Sequence, residues 1–131
     1  MALADLQRIR HRAQFDAVLS KPPATKTMHF ALHLLPNDPS GAFHDVFPVG
    51  DRWLGAMVPK RWAKRAATRN LIRRHIYESG RMALDGLPTG ALVVRLRSGY
   101  SREQFPSAQS LALKRALRQE LQQLLAGVRR A

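Results

Sequence analysis

KRWAKRAATRNLIRRHIYE, residues Lys60 to Glu78, carries seven of the chain's 22 Lys and Arg residues against a single acid, Glu78. No Gly or Pro lies inside it, Pro59 stands just before it, and Ala63, Ala66, Ala67 and Leu71 are strong helix formers, so the stretch is predicted as one helix. At about 100° per residue, Thr68, Ile72, His75 and Ile76 share one flank, while Asn70, Arg73, Arg74 and Tyr77 lie on or near the other. Arg65 and Arg69 fall beside the apolar flank and have to snorkel outward, and Trp62 lies between the sectors. A charged helix is ordinarily a solvated face laced by i,i+4 ion pairs. Here the acids are missing, and Arg61, Arg65, Arg69 and Arg73 repel at i,i+4 spacing. Phosphates bound among these groups relieve that repulsion, so the helix points to nucleic acid.

Upstream, Trp53 to Val58 reads as a strand running straight through Pro59 into the basic helix. Thr27 to Leu35 alternates, with Met28, Phe30, Leu32 and Leu34 on one side and His29, Ala31 and His33 on the other, as in a half-buried strand antiparallel to it. Residues 41–52 between them form an extended loop with one short extended piece around Val46 to Val49. Before Pro22 and Pro23, Phe15, Val18 and Leu19 suggest a helix from His11 to Leu19. Residues 1–10 are expected to be a loose basic arm, ending in the cluster Arg8, Arg10, His11 and Arg12. Downstream, Gly80 reads as a helix stop, Gly86 to Gly90 as a turn, and Ala91 to Leu96 as a buried strand. Pro106 suits a first helical turn, and Leu113, Leu117, Leu121, Leu124 and Val128 continue at helical spacing to about Arg129. The order α-β-β-β-α-β-α describes one α+β domain over residues 1–131, a two-layer sandwich. General statistics favour a right-handed strand–helix–strand crossover at the basic helix.

The formal charge of +13 on 131 residues implies salt-sensitive capture of a large polyanion. No apolar run of about 18 residues offers a membrane span, and no secretory leader opens the sequence, so a cytoplasmic protein without a membrane partner is expected. The absence of Cys excludes disulfides, thiolate catalysis and Cys-type zinc sites.

Lys60-Arg61, Arg65-Ala66, Arg69-Asn70, Ile72-Arg73-Arg74 and Glu78 together resemble the signature helix of the bacterial ribonuclease P protein subunit. The likeness covers most of the chain: Arg8-Ile9 with Phe15 and Val18 is similar to the family's arm and first helix, and His29-Phe30-Ala31-Leu32 to its long strand. Leu54-Gly55 with Val58 and Leu92-Val93-Val94 with Arg97 and Gly99 are similar to the strands that flank the signature. The resemblance implies a left-handed crossover in place of the statistical one, in a fold similar to one found in ribosomal proteins. It implies an endoribonuclease activity exerted within a ribonucleoprotein, in which a catalytic RNA subunit and its bound Mg²⁺ remove the 5′ leader of precursor tRNA. The protein itself would hold no cofactor or metal and would join the RNA as one monomer. Carried over by position, Lys60, Arg61, Lys64, Arg65, Arg69, Asn70, Arg73 and Arg74 would contact the RNA subunit. Arg8, Arg12, Phe15, Leu19, His29, Ala31 and His33 would form a cleft for the leader. The family's Arg-Asn-Arg triplet is Arg69-Asn70-Leu71 here, Tyr77 stands where a basic residue is common, and Leu19 and His33 occupy positions that are often aromatic.

Other chemistries fit less well. His29 and His33 on one strand face lie about 13 Å apart, too far to share a phosphate as a protein-only ribonuclease or to pair on a zinc ion. The nine acids are scattered. Trp53 and Trp62 read as packing residues, and the leucines of the last helix as core. A non-enzymatic, ribosomal-type RNA-binding protein is the alternative from another class. A helix-turn-helix would need a second helix where a strand precedes the basic one.

Overall fold

The structure is a computed structural model and describes residues 6–38, 41–47, 51–107 and 110–128. Nine elements follow in order: β1 (Leu6–Arg8), α1 (Arg12–Leu19), β2 (Pro23–Lys26), β3 (Phe30–Pro36), α2 (Ala42–Val46), β4 (Arg52–Met57), α3 (Ala66–Met82), β5 (Gly90–Leu96) and α4 (Leu111–Ala126), with a 3-10 turn at Leu84–Gly86 before β5. The strands form one sheet in the order β1-β4-β5-β3-β2. β1, β4 and β5 run parallel, and β3 is antiparallel to both β5 and β2.

The α+β architecture expected from the sequence is present. From α1 onward the elements other than α2 reproduce α-β-β-β-α-β-α, and β4, α3 and β5 form the crossover unit. The three strands before α3 are β2, β3 and β4, however: the extra one is β2, ahead of β3, and not a piece near Val46, which lies in α2; residues 48 and 49 are outside the described residues. Pro23 reads as a breaker, yet β2 sits on the sheet edge, where a missing N–H costs no ladder bond. Two further expectations change. The basic arm is not loose throughout: Leu6–Arg8 pairs with β4, and Ile9 N–H donates to the Leu54 carbonyl at 3.0 Å. The loop 41–52 contains α2, held by Phe43 and Phe47, whose rings stack at 5.2 Å, with Phe47 also meeting Trp53 at 5.1 Å in a tilted contact.

Strand alternation divides the core in two. Leu32, Leu54, Val94 and Leu96 face α3 and α4, meeting Ile72, Ile76, Leu117 and Leu121. On the opposite face Leu35, Ala91 and Val93 meet Val18 of α1, Phe43 of α2 and Phe47 just after it. The main two-layer sandwich is therefore the sheet under α3 and α4, with α1 and α2 adding cover behind. That cover explains why β3 is not half-buried: Ala31 is 0% and His33 5% exposed. β4 runs antiparallel to β3, as expected, but β5 lies between them.

α3 continues past Gly80 to Met82, so Gly80 is no stop. It is a close approach, since a Cβ there would lie 2.5 Å from Leu54 Cδ2. Pro106 precedes α4 rather than opening it, and Ser110 caps that helix by accepting from Leu113 N–H at 3.0 Å. The described part of α4 ends at Ala126, short of Arg129, which lies outside the described residues. At Gly90 the backbone has φ +136°, and a Cβ would lie 2.5 Å from the Leu35 carbonyl oxygen and 3.0 Å from Asn37 N. Both neighbours are backbone and cannot swing aside. Gly90→Ala is thus expected to cost about 2 kcal/mol, read as a melting temperature lower by roughly 5 to 8 °C.

Candidate nucleic-acid interface

The basic stretch is not one helix. Lys60 to Trp62 form a turn in which Trp62 N–H and Ala63 N–H donate to the Pro59 carbonyl at 3.1 and 3.2 Å. The chain then extends to Arg65, the N-cap of α3, whose φ of −83° and ψ of 134° are non-helical. Burial of Ala63, 5% exposed, requires this break, because a continuous helix would carry it away from the core. Arg69 Nη1 donates to the carbonyls of Ala63 and Lys64 at 3.0 and 2.8 Å and so ties the turn to the helix. Arg65 Nη2 donates to the Pro106 carbonyl at 3.2 Å. Two of the eight predicted RNA contacts therefore already hold protein carbonyls, and the i,i+4 stack of four arginines reduces to Arg69 and Arg73.

The remaining six face outward. Lys60, Arg61, Lys64, Asn70, Arg73 and Arg74 are exposed, while Leu71, Ile72, His75 and Ile76 are buried, much as the wheel placed them. Among the described residues the basic side chains held by a carboxylate are Arg12, by Asp16, and His29, hydrogen-bonded to Glu120, so the cations of this surface have no carboxylate partner there. Burial, Arg118, Arg74 and Lys114 outweigh Glu78 and lower the pKa of His75, which belongs to the packed flank and adds no charge to the exposed one. Leu71, at the triplet's third position, is 2% exposed and serves the core. At Tyr77 the missing charge is supplied from elsewhere, because the Arg8 guanidinium lies 4.1 Å from the centre of its ring. Trp53 packs as expected, but Trp62 is 38% exposed.

The predicted leader cleft is only partly assembled. Arg12, Phe15 and Leu19 recur at i, i+3 and i+7 along α1, and the Phe15 ring lies over Gly55, where a Cβ would come within 2.7 Å of it. Ala31 and His33 lie on the sheet face under α1 but are buried. His33 Nδ1 donates to the Lys21 carbonyl at 2.8 Å, and its Nε2 accepts from Arg95 Nε at 3.4 Å. Two residues belong elsewhere. Arg8, in register with Leu54, points to the α3 side. His29 lies in the turn before β3, so the strand alternation does not govern it; it is bonded to Glu120 of α4 through Nδ1 at 2.8 Å. In their place the register brings Arg95 and Met57, both half-buried, into one row with Ala31. Alternation over Ala91, Val93 and Arg95 was the available signal, masked because that strand is apolar on both faces.

A family model described as Ribonuclease P matches residues 3–128. Among curated relatives, the ribonuclease P protein component of Ralstonia pickettii is 32% identical over 119 residues, spanning 89% of this chain and 75% of the relative. That of Paraburkholderia xenovorans is 30% identical over 118 residues, spanning 90% and 77%. The fold is similar to solved structures of the RNase P protein of Staphylococcus aureus. One has a TM-score of 0.61 at 21% identity over 98% of this chain and 96% of that one, another 0.60 at 20% identity over 92% and 90%. A sheet carrying an unneutralised basic helix, matched by the family model over nearly its whole length, belongs to the ribonuclease P protein family, whose members act with an RNA subunit in processing the 5′ end of tRNA.

Proposed function

We propose that the turn 60–64 and the outer side of α3 grip the catalytic RNA subunit, while the groove between α1 and the sheet receives the 5′ leader of precursor tRNA. The observation that carries this is the exposed cationic face of α3, where Glu78 is the one acid and none of the cations forms an ion pair among the described residues, on the side of the sheet opposite α1. Two anionic chains are thereby kept apart by the thickness of the sheet. Phosphate contacts fix position without reading sequence, which suits a leader that differs between precursors. In the groove Phe15 offers a stacking plane, and Arg12 and Arg95 offer charge, with Leu19 beside them and Ala31 and His33 supporting from beneath. Strand scission falls to the RNA and its bound Mg²⁺, and the protein promotes it by positioning, as a single cytoplasmic copy on each RNA.

The test is reconstitution with the catalytic RNA and precursor tRNA at low Mg²⁺, where the protein is expected to stimulate endonucleolytic removal of the leader. Lack of stimulation would favour a non-enzymatic, ribosomal-type role. Phe15→Ala is expected to reduce the preference for precursor over mature tRNA by roughly five-fold or more, the worth of one stacked base. An unchanged ratio would remove Phe15 from the leader site.

A further inference from the structure

The start of α3 borders a cavity of about 260 Å³ that the basic face alone does not explain. It is enclosed by the turn Arg61 to Arg65, by the segment carrying Tyr100, Arg102 and Phe105, and by the first turn of α4. Ile72 and Leu113 give it an apolar floor, Trp62, Tyr100 and Phe105 give it aromatic walls, and among the described residues no carboxylate lines it. Four cations, Arg61, Lys64, Arg65 and Arg102, stand around it.

These walls are braced. The Tyr100 ring stacks on His29 at 3.8 Å, and its hydroxyl donates to Glu120 at 2.6 Å. Phe105 meets Tyr100 edge to face at 5.8 Å, and Arg65 ties the turn to Pro106 across the cavity. One face of Tyr100 is thus occupied, and Trp62 and Phe105 are the rings left to a ligand. Drug-sized ligands fill cavities of about 300 to 1,000 Å³, so this one suits a single planar ring system. An apolar slot between aromatic rings, edged by cations, matches a nucleotide: the base stacks and the phosphate pairs with Lys or Arg.

We infer that this cavity takes one unpaired base of the catalytic RNA, stacked against Trp62 and Phe105, with the adjoining phosphate met by Lys64 and Arg102. The inference rests on the reading that α3 grips that RNA, and it adds a contact that phosphate pairing cannot supply. A base held in such a slot fixes the register of the protein along the RNA, whereas phosphates repeat. Arg102, far from the basic stretch in sequence, joins the interface through the fold.

Two measurements test it. In a Trp53→Phe background Trp62 is the sole indole, since the chain has two Trp. Adenosine monophosphate is expected to quench its fluorescence and inorganic phosphate is not; equal quenching by both would mark an anion site and overturn the inference. With the catalytic RNA, Phe105→Ala and Trp62→Leu are each expected to weaken affinity roughly five-fold or more. The slope of log affinity on log salt should stay unchanged, because stacking releases no counterions. Arg102→Ala should weaken affinity and flatten that slope by about one. Trp62 is partly exposed, so Trp62→Leu leaves a folded protein even if Phe105→Ala does not, and thermal melts verify both. Unchanged affinity in the folded variants overturns the inference while the proposed function stands; failure of the wild-type protein to bind or stimulate the RNA would sink that function instead.

Discussion

Replacing Lys60, Arg61, Arg73 and Arg74 together by alanine is expected to lower affinity for the RNA subunit roughly 600-fold near physiological salt, with little change in thermal stability. Each phosphate contact contributes about 0.7 to 0.9 to the slope of log affinity on log salt, or roughly five-fold in affinity at about 0.15 M. Seven contacts would give a slope near −5 to −6. Since Arg65 and Arg69 already donate to protein carbonyls, the five free cations of the turn and α3 give about −4, Arg102 adds about −1, and the quadruple variant should retain about −2. The four side chains are exposed, so their loss should alter stability by no more than about 0.5 kcal/mol. Arg69→Ala should behave differently. It frees two carbonyls at the turn, so its melting temperature should fall along with its affinity. A quadruple variant with an unaltered salt slope would show that the basic face is not where the RNA sits.

The part of this site that the sequence disclosed is the part governed by local periodicity. The polar and apolar sides of α3 follow from the 3.6-residue repeat, and Leu113, Leu117, Leu121 and Leu124 mark α4 in the same way. The start of α3 was hidden because Lys60 to Arg65 has helical composition; only the tertiary need to bury Ala63, and the tether from Arg69, break it there. β1 and β2, with three and four residues, are too short to display a period, and they exist because a longer neighbour offers a ladder. His29 and His33 illustrate the same limit. Four residues apart, they read as neighbours on one face, yet one sits in a turn whose geometry Glu120 sets from 91 residues away. The cavity wall is hidden for the same reason, because nothing near Tyr100 in sequence announces a partner on α4.

That partner carries the other large effect. Glu120 accepts four hydrogen bonds: from Thr27 Oγ1 and His29 N–H on Oε2 at 2.6 and 2.7 Å, and from Tyr100 Oη and His29 Nδ1 on Oε1 at 2.6 and 2.8 Å. Its side chain is 14% exposed, so water replaces few of these bonds if they are lost. Glu120→Ala leaves several donors unsatisfied and detaches α4 from the β2–β3 turn. It is expected to cost about 3 kcal/mol, or roughly 10 °C in melting temperature. The pH dependence has a definite sign. Burial alone would raise the carboxyl pKa, but the bonds from Thr27, Tyr100 and His29 together outweigh it and hold the group below its ordinary 4.5. The folded protein therefore binds this proton more weakly than the unfolded chain. Its contribution is complete above about pH 4.5 and is lost as pH falls through the depressed folded value. Burial and the Glu120 carboxylate that accepts its hydroxyl raise the pKa of Tyr100, so the phenol stays protonated and remains the donor. In melts as a function of pH, the gap between wild type and Glu120→Gln should be constant near neutrality and close on the acid side. A gap independent of pH below 4.5 would mean that the carboxylate's charge does not hold this network, and that the wall of the cavity is kept in place by packing alone.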